Sequence, residues 1–133
     1  CIYRKEKNII CIVVGEIYEN QVVYNQISKS EYLYNIYKFK DLKYINDING
    51  SFIFCIYDKN NFFLGKDYNS IIPCYYNYDG KTLKFSDDLK TILNPNLIDN
   101  LNLTNIFTPI LCGGIYLDGS TFFKNTFKLE PGT

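Results

Sequence analysis

The sequence contains no histidine, no tryptophan and a single arginine, Arg4, in 133 residues. Its five cysteines, Cys1, Cys11, Cys55, Cys74 and Cys112, include no Cys-x-x-Cys pair. Without that pair or any histidine, the usual zinc-ligand spacings are missing, and no metal site is expected. The cysteine count is odd, and Cys11 and Cys55 lie inside apolar strand-like runs, where they read as small hydrophobes. That argues against a disulfide framework and places the chain in the cytoplasm. Fourteen Lys and Arg balance fourteen Asp and Glu, so the basic excess of a nucleic-acid binder is absent. No signal peptide opens the chain, and the longest apolar run, residues 9–14, is far too short to span a bilayer. No internal repeat or low-complexity linker interrupts it.

What is present is globular. Hydrophobic residues make up 47% and charged residues 21%, and the length suits one domain over residues 1–133 with a core of its own. Thirteen tyrosines and ten phenylalanines supply most of the large core side chains, and the Tyr75, Tyr76 and Tyr78 stripe reads as core and sheet surface.

The chain is organised around residues 46–93. Four short apolar runs there are cut by the turn-forming clusters Asp58-Lys59-Asn60-Asn61, Tyr68-Asn69-Ser70 and Tyr78-Asp79-Gly80. This punctuation predicts successive antiparallel strands, with Asp79-Gly80 the strongest hairpin signal. Residues 50–58 are apolar on both alternations, which predicts an inner strand covered on both faces. Upstream, residues 9–18 predict a buried strand with a bend at Gly15. Ser28 followed by Glu31 has the form of a capping box, and residues 29–46 carry helical spacing for one or two amphipathic helices. Downstream, Asp87 or Asp88 is placed to cap a short helix ending near Leu93, stopped by Asn94-Pro95. Thr104 is expected to cap a helix through Ile110, broken by Gly113-Gly114, and Asp118-Gly119 to turn a hairpin within residues 116–127.

The order and spacing of these residues resemble the N-terminal domain of asparagine synthetase-like enzymes, a class II glutamine amidotransferase with an N-terminal-nucleophile (Ntn) fold. The family pattern Leu-x-Gly-x-Phe-Ala-Phe-Ala-x-Tyr-Asp is met by Ile48-Asn49-Gly50-Ser51-Phe52 through Asp58. Leu64-Gly65-Lys66-Asp67 through Tyr76 follows the pattern Leu-x-Arg-Asp-x-x-Gly-x-x-Pro-Leu-Tyr-Tyr, and Phe85-Ser86-Asp87-Asp88-Leu89-Lys90 the pattern Phe-Ala-Ser-Glu-x-Lys. The resemblance implies an α+β, Ntn-hydrolase-type four-layer sandwich of two antiparallel sheets flanked by helices, here with trimmed helices because the N-terminal segment is short. Thr121-Phe122-Phe123 through Pro131-Gly132-Thr133 is similar to the segment just before the family's ATP-consuming synthetase domain. Residues 95–133 would then lead toward that domain. No Ser-Gly-Gly-x-Asp-Ser phosphate-binding loop is present, so ATP and magnesium are expected on a synthetase domain or subunit and no cofactor on this chain.

By the same resemblance, a working glutaminase needs a Cys thiol at the mature N-terminus activated by its own α-amine, an oxyanion-hole Asn-Gly pair, an Arg for the glutamine carboxylate and an Asp for its ammonium. Cys1 meets the first requirement by position, although Ile2 replaces the family's glycine beside it; its bland alternative is an arbitrary first residue. The oxyanion motif is Val14-Gly15-Glu16-Ile17-Tyr18, and a valine cannot donate a side-chain hydrogen bond. Arg4 lies in no matching motif. The ammonium-binding Asp, aligned on Glu31, is Lys29, which would repel an ammonium. Val14, Gly15, Glu16 and Lys29 are therefore expected to be remnants of a glutamine pocket, with no catalytic residue. The family's Arg-Asp turn is Lys66-Asp67, either an ion pair fixing the turn or a solvated pair.

These losses point to a non-hydrolytic glutaminase-like domain, inactive alone, of an ATP-dependent amide-forming ligase. β-Lactam synthetase-like enzymes and lasso-peptide cyclases resemble that description, so the expected partners are a synthetase domain or subunit and a peptide or small-molecule substrate, with no nucleic acid and no membrane. A chain ending at this junction would be a split enzyme, a processed product or a deliberately shortened chain. Two alternatives stand beside it: an active glutaminase in which Cys1 supplies ammonia to an asparagine synthetase-type partner, and a stand-alone binding or regulatory module.

Overall fold

Alternating and two-sided apolar runs become strands, and the turn clusters separate them. In the computed structural model, residues 2–6, 8–19, 26–39, 42–59, 61–69, 71–93, 98–111 and 119–133 are described. They fall into two compact units, Cys1–Ile72 with Pro131–Thr133, and Pro73–Glu130.

The first unit holds a four-stranded antiparallel sheet of β1 (Ile2–Glu6), β2 (Ile9–Ile17), β3 (Gly50–Asp58) and β4 (Asn61–Lys66), in that spatial order. Strand β1 had no counterpart in the sequence reading, because its polar Arg4-Lys5-Glu6 run shows no apolar alternation. Among the described residues its one strand neighbour is β2, with Ile2 opposite Val13 and Glu6 opposite Ile9. In β2 and β3 the register places Cys11 opposite Ile56 and Val13 opposite Phe54. These residues share one face, where they pack with Phe52 and with Leu33 and Ile36 of helix α1 (Lys29–Phe39). The face forms one core, and each fully buried Leu, Ile or Phe in it contributes about 1.5–3 kcal/mol. The opposite face of β3 is closed too, with Ile53 and Cys55 buried. β3 is thus the two-sided inner strand that its composition predicts.

Helix α1 begins where Ser28 caps it: the Ser28 hydroxyl oxygen accepts from the Glu31 N–H at 3.2 Å. A 3₁₀ helix, Leu42–Asp47, follows, so the predicted helical stretch is two helices.

In the second unit, β5 (Tyr75–Tyr78), β6 (Leu83–Ser86) and β7 (Thr126–Lys128) form an antiparallel sheet in the order β6-β5-β7. The β5–β6 turn is the Asp79-Gly80 hairpin. Asp79 Oδ1 accepts from the N–H groups of Lys81 and Thr82 at 2.8 and 2.7 Å, and Gly80 takes φ +92°. Asp88, rather than Asp87, caps the short helix α2 (Leu89–Ile92), accepting from Lys90 N–H. Helix α3 (Leu103–Leu111) starts two residues earlier than a Thr104 cap would allow. Asn102 caps it, its Oδ1 accepting from Asn105 N–H at 3.3 Å, and asparagine outranks threonine as a cap. The Asn94-Pro95 and Gly113-Gly114 breaks lie outside the described residues, as does Asp118. Gly119, at φ +66°, accepts from Lys128 N–H, which holds one arm of the expected hairpin.

The architecture is α+β, with two antiparallel sheets and short helices, consistent with the Ntn type. No helix among the described residues is long and apolar enough to cross a membrane.

Candidate functional site

The Val14-Gly15-Glu16-Ile17-Tyr18 run closes β2, and β3 dictates its shape. Gly15 takes φ +105°, and a Cβ there would stand 2.2 Å from the Ser51 carbonyl oxygen. Only glycine fits. Beyond it Ile17 returns to the core, and Tyr18 N–H donates to the Asn49 carbonyl at 2.8 Å. Val14 is half-buried in register with Ile53.

One side chain bridges the end of β2 and the start of α1. Lys29 Nζ donates to the Gly15 carbonyl oxygen at 2.7 Å and forms an ion pair with Glu16 Oε1 at 2.6 Å. The Lys29 side chain is 16% exposed and that of Glu16 64%. The structure therefore joins three of the four positions singled out in the sequence, Gly15, Glu16 and Lys29. Val14 stands beside them in the strand and offers an isopropyl group. Cys1 lies outside the described residues; the next residue, Ile2, pairs with Val13. Opposite Glu16 stands Ser51, whose buried hydroxyl has no hydrogen-bond partner among the described residues.

Lys66 and Asp67 are buried, at 3% and 6% exposure, which removes the solvated-pair reading. Lys66 Nζ donates to the Ile72 carbonyl at 2.9 Å, and Asp67 Oδ1 accepts from Phe52 N–H at 3.0 Å. Together they tie the end of β4 to β3 and to the turn before the second unit begins. They line a cleft of about 270 Å³ with Ile45 and Ile48 of the first unit. The sequence signal for this anchoring was the match of Lys66-Asp67 to a family Arg-Asp turn; its burial was not visible there. Among the described residues, no three His, Cys, Asp or Glu side chains converge on a metal position.

Residues 2–133 match the family described as "Glutamine amidotransferase domain". The chain belongs to that family. Its relatives are asparagine synthetases by name. It is 32% identical, over 97% of its length, to a putative asparagine synthetase (glutamine-hydrolyzing) 2 of Methanocaldococcus jannaschii. It is 30% identical over 59% of its length to asparagine synthetase B (glutamine-hydrolyzing) of Escherichia coli. To asparagine synthetase (glutamine-hydrolyzing) 2 of Bacillus subtilis it is 25% identical over 96% of its length. The chain spans 28%, 16% and 19% of the lengths of these three relatives. As a glutamine amidotransferase domain related to asparagine synthetases, it carries the Gly15–Glu16 motif in a folded strand end, with the Lys29 ammonium seated on it.

Proposed function

We propose that this glutamine amidotransferase domain is degenerate and non-hydrolytic, and that it serves as a structural half of an ATP-dependent amide-forming ligase. The observation that carries the reading is the Lys29 ammonium lying 2.7 Å from the Gly15 carbonyl and paired with Glu16. Where the family resemblance calls for a carboxylate to hold a substrate ammonium, the chain supplies its own. A second amino group brought to Gly15 and Glu16 would meet that charge at close range.

Val14 supports the same reading. Thiol addition to a carboxamide places negative charge on the former carbonyl oxygen, and a valine at the Asn position offers it no side-chain donor. Losing one such donor costs about 10²–10³ in rate. In the proposed role, ATP and magnesium belong to a synthetase domain or subunit in the cytoplasm, and the acid and amine it condenses come from a peptide or small-molecule substrate.

The names of the relatives, which call them glutamine-hydrolyzing, favour a second reading in which Cys1 releases ammonia. The experiment measures glutamine-dependent ammonia from the chain with Cys1 at its free N-terminus and from Cys1→Ala. Equal, background-level release supports the non-hydrolytic reading; release abolished by Cys1→Ala overturns it. The native mass of the species that carries this domain in its host then separates a ligase half from a stand-alone module, since the first requires a synthetase domain, either in the same polypeptide or as a second chain in fixed ratio.

A further inference from the structure

Helix α3 turns an apolar ridge outward. Leu103, Phe107 and Leu111 recur every four residues and Ile110 falls beside them, so the four share one face of the helix. All four are exposed, from 55% at Phe107 to 84% at Leu111. The other face holds α3 to the second unit: Pro109 is buried, and Asn105 Nδ2 donates to the Thr121 carbonyl at 2.8 Å. A surface helix normally does the reverse and turns its apolar stripe inward. At about 150–200 Å² for a large apolar side chain, the ridge leaves about 500 Å² in water, the size at which an exposed patch marks an interaction site.

Charge and spacing choose the occupant. α3 contains no Asp, Glu, Lys or Arg, and the formal net charge of the whole chain is zero. Two copies therefore approach without repulsion, and the ridge has no charge with which to select a partner of another kind. Its spacing is self-complementary. A four-residue repeat is the ridge that interlocks in the commonest class of helix packing, and this one is symmetric about Phe107, with a leucine one turn to either side. Turned end for end onto itself, it sets Leu103 of each copy against Leu111 of the other, with the two Phe107 rings at the centre. We propose that α3 is a homodimer contact, in which a second copy of this chain packs antiparallel on the Leu103–Phe107–Leu111 ridge. This goes beyond the ligase reading and is independent of whether the domain hydrolyses glutamine.

Closing the ridge on its twin buries about 1,000 Å² in total, where specific interfaces begin. The dimer is therefore weak, and it dissociates at micromolar concentrations or above. The border of the ridge does not oppose contact. The Thr108 hydroxyl already donates to the Thr104 carbonyl at 2.8 Å, so covering it strands no donor. The same patch is used by both copies, so association closes at two and does not propagate.

Sedimentation equilibrium of the chain from about 1 μM to about 1 mM reads the association. Monomer is expected at the low end, and dimer without larger species at the high end. Phe107→Lys sets two ammonium groups against each other at the two-fold axis and should weaken dimerisation about tenfold or more. Asn61→Lys adds the same charge at an exposed position of β4 in the first unit and should leave it unchanged. Leu103→Glu and Leu111→Lys should each weaken it about tenfold. The double variant should recover most of that loss, because residue 103 of one copy faces residue 111 of the other. Far-ultraviolet circular dichroism checks that each variant keeps its helices. A chain still monomeric at about 1 mM overturns the proposal and leaves the ridge to a partner of another kind. So does a dimer indifferent to Phe107→Lys, and a double variant no tighter than the single ones overturns the antiparallel seat.

Discussion

Lys29 stands at the first position of α1, where unpaired helix N–H groups carry partial positive charge and disfavour a cation by about 0.3–1 kcal/mol. It is held there by contacts that outweigh this cost, a charge-assisted hydrogen bond to the Gly15 carbonyl and the ion pair with Glu16. Glu16 is mostly exposed, so solvent screens the pair, and the carbonyl bond carries most of the stabilisation. Lys29→Met relieves the helix end but orphans that carbonyl. The expected net loss is about 1–2 kcal/mol in urea denaturation; a variant as stable as the parent would show that the contact carries nothing. The buried thiols have a different signature. Burial pushes the Cys55 thiol up to about 11, and burial together with the Asp58 carboxylate, 2.8 Å away, raises the Tyr37 hydroxyl. Both groups hold their protons longer folded than unfolded. The Cys55 contribution is intact below the ordinary thiol range of about 8.5 and is lost as the pH climbs toward 11, and that of Tyr37 is lost only above the ordinary tyrosine range of about 10. Melting temperature should fall across that window, with a shallower slope in Cys55→Ala. An identical slope would show that Cys55 does not titrate in the folded state. Cys11, Cys55 and Cys74 should also resist alkylation at neutral pH while the chain is folded, since all three are buried.

At the scale of elements, the caps and turns were the most legible features, because each rests on one or two local side chains. Ser28 was readable as the cap of α1, and Asp79-Gly80 as the β5–β6 turn, from residue type alone. Between Asp87 and Asp88 the sequence left a choice, which the Lys90 N–H settles in favour of Asp88. The start of α3 was misread for a physical reason. Asn102 and Thr104 both carry side-chain acceptors, and only the backbone shows that the Asn102 carbonyl already receives the Ile106 N–H at 3.1 Å. The two assignments make opposite predictions. Asn102→Ala should destabilise the chain by about 1 kcal/mol. Thr104→Ala should change stability by no more than about 0.5 kcal/mol, because residue 104 lies inside the helix and its carbonyl takes the Thr108 hydroxyl. Calorimetry on the pair decides; a larger effect at Thr104 would restore the sequence-based cap. Strand β1 was not legible because it is defined by backbone pairing with β2, and no apolar alternation is present in Arg4-Lys5-Glu6.

Across the whole molecule, the inner position of β3 was legible because burial on both faces forces apolar residues at both alternations. The partition of the four central strands was not. β3 and β4 belong to one sheet, β5 and β6 to another, although similar turn clusters separate all four. Sheet membership is decided by long-range pairing, such as that of β3 with β2 across more than thirty intervening residues, which local turn chemistry does not encode. Nor could the meeting of Lys29 with Gly15 be read from spacing, since it depends on where α1 packs. The placement of β3 can be tested within a single strand. Phe54 is 9% exposed, lies over Gly65 and packs 6.3 Å from the Phe52 ring. Tyr57, three residues on, is 44% exposed. Phe54→Asp removes a core aromatic, a loss of about 3–5 kcal/mol in itself, and leaves a carboxylate with no partner in an apolar setting. Against a total stability of about 5–15 kcal/mol, that is enough to unfold the unit. Tyr57→Asp places its carboxylate at the solvent edge and should cost no more than about 1 kcal/mol. Near-ultraviolet circular dichroism of the two variants should therefore differ sharply. A folded Phe54→Asp would mean that β3 is not buried on the face it shares with Val13, and an unfolded Tyr57→Asp that its register is shifted by one residue.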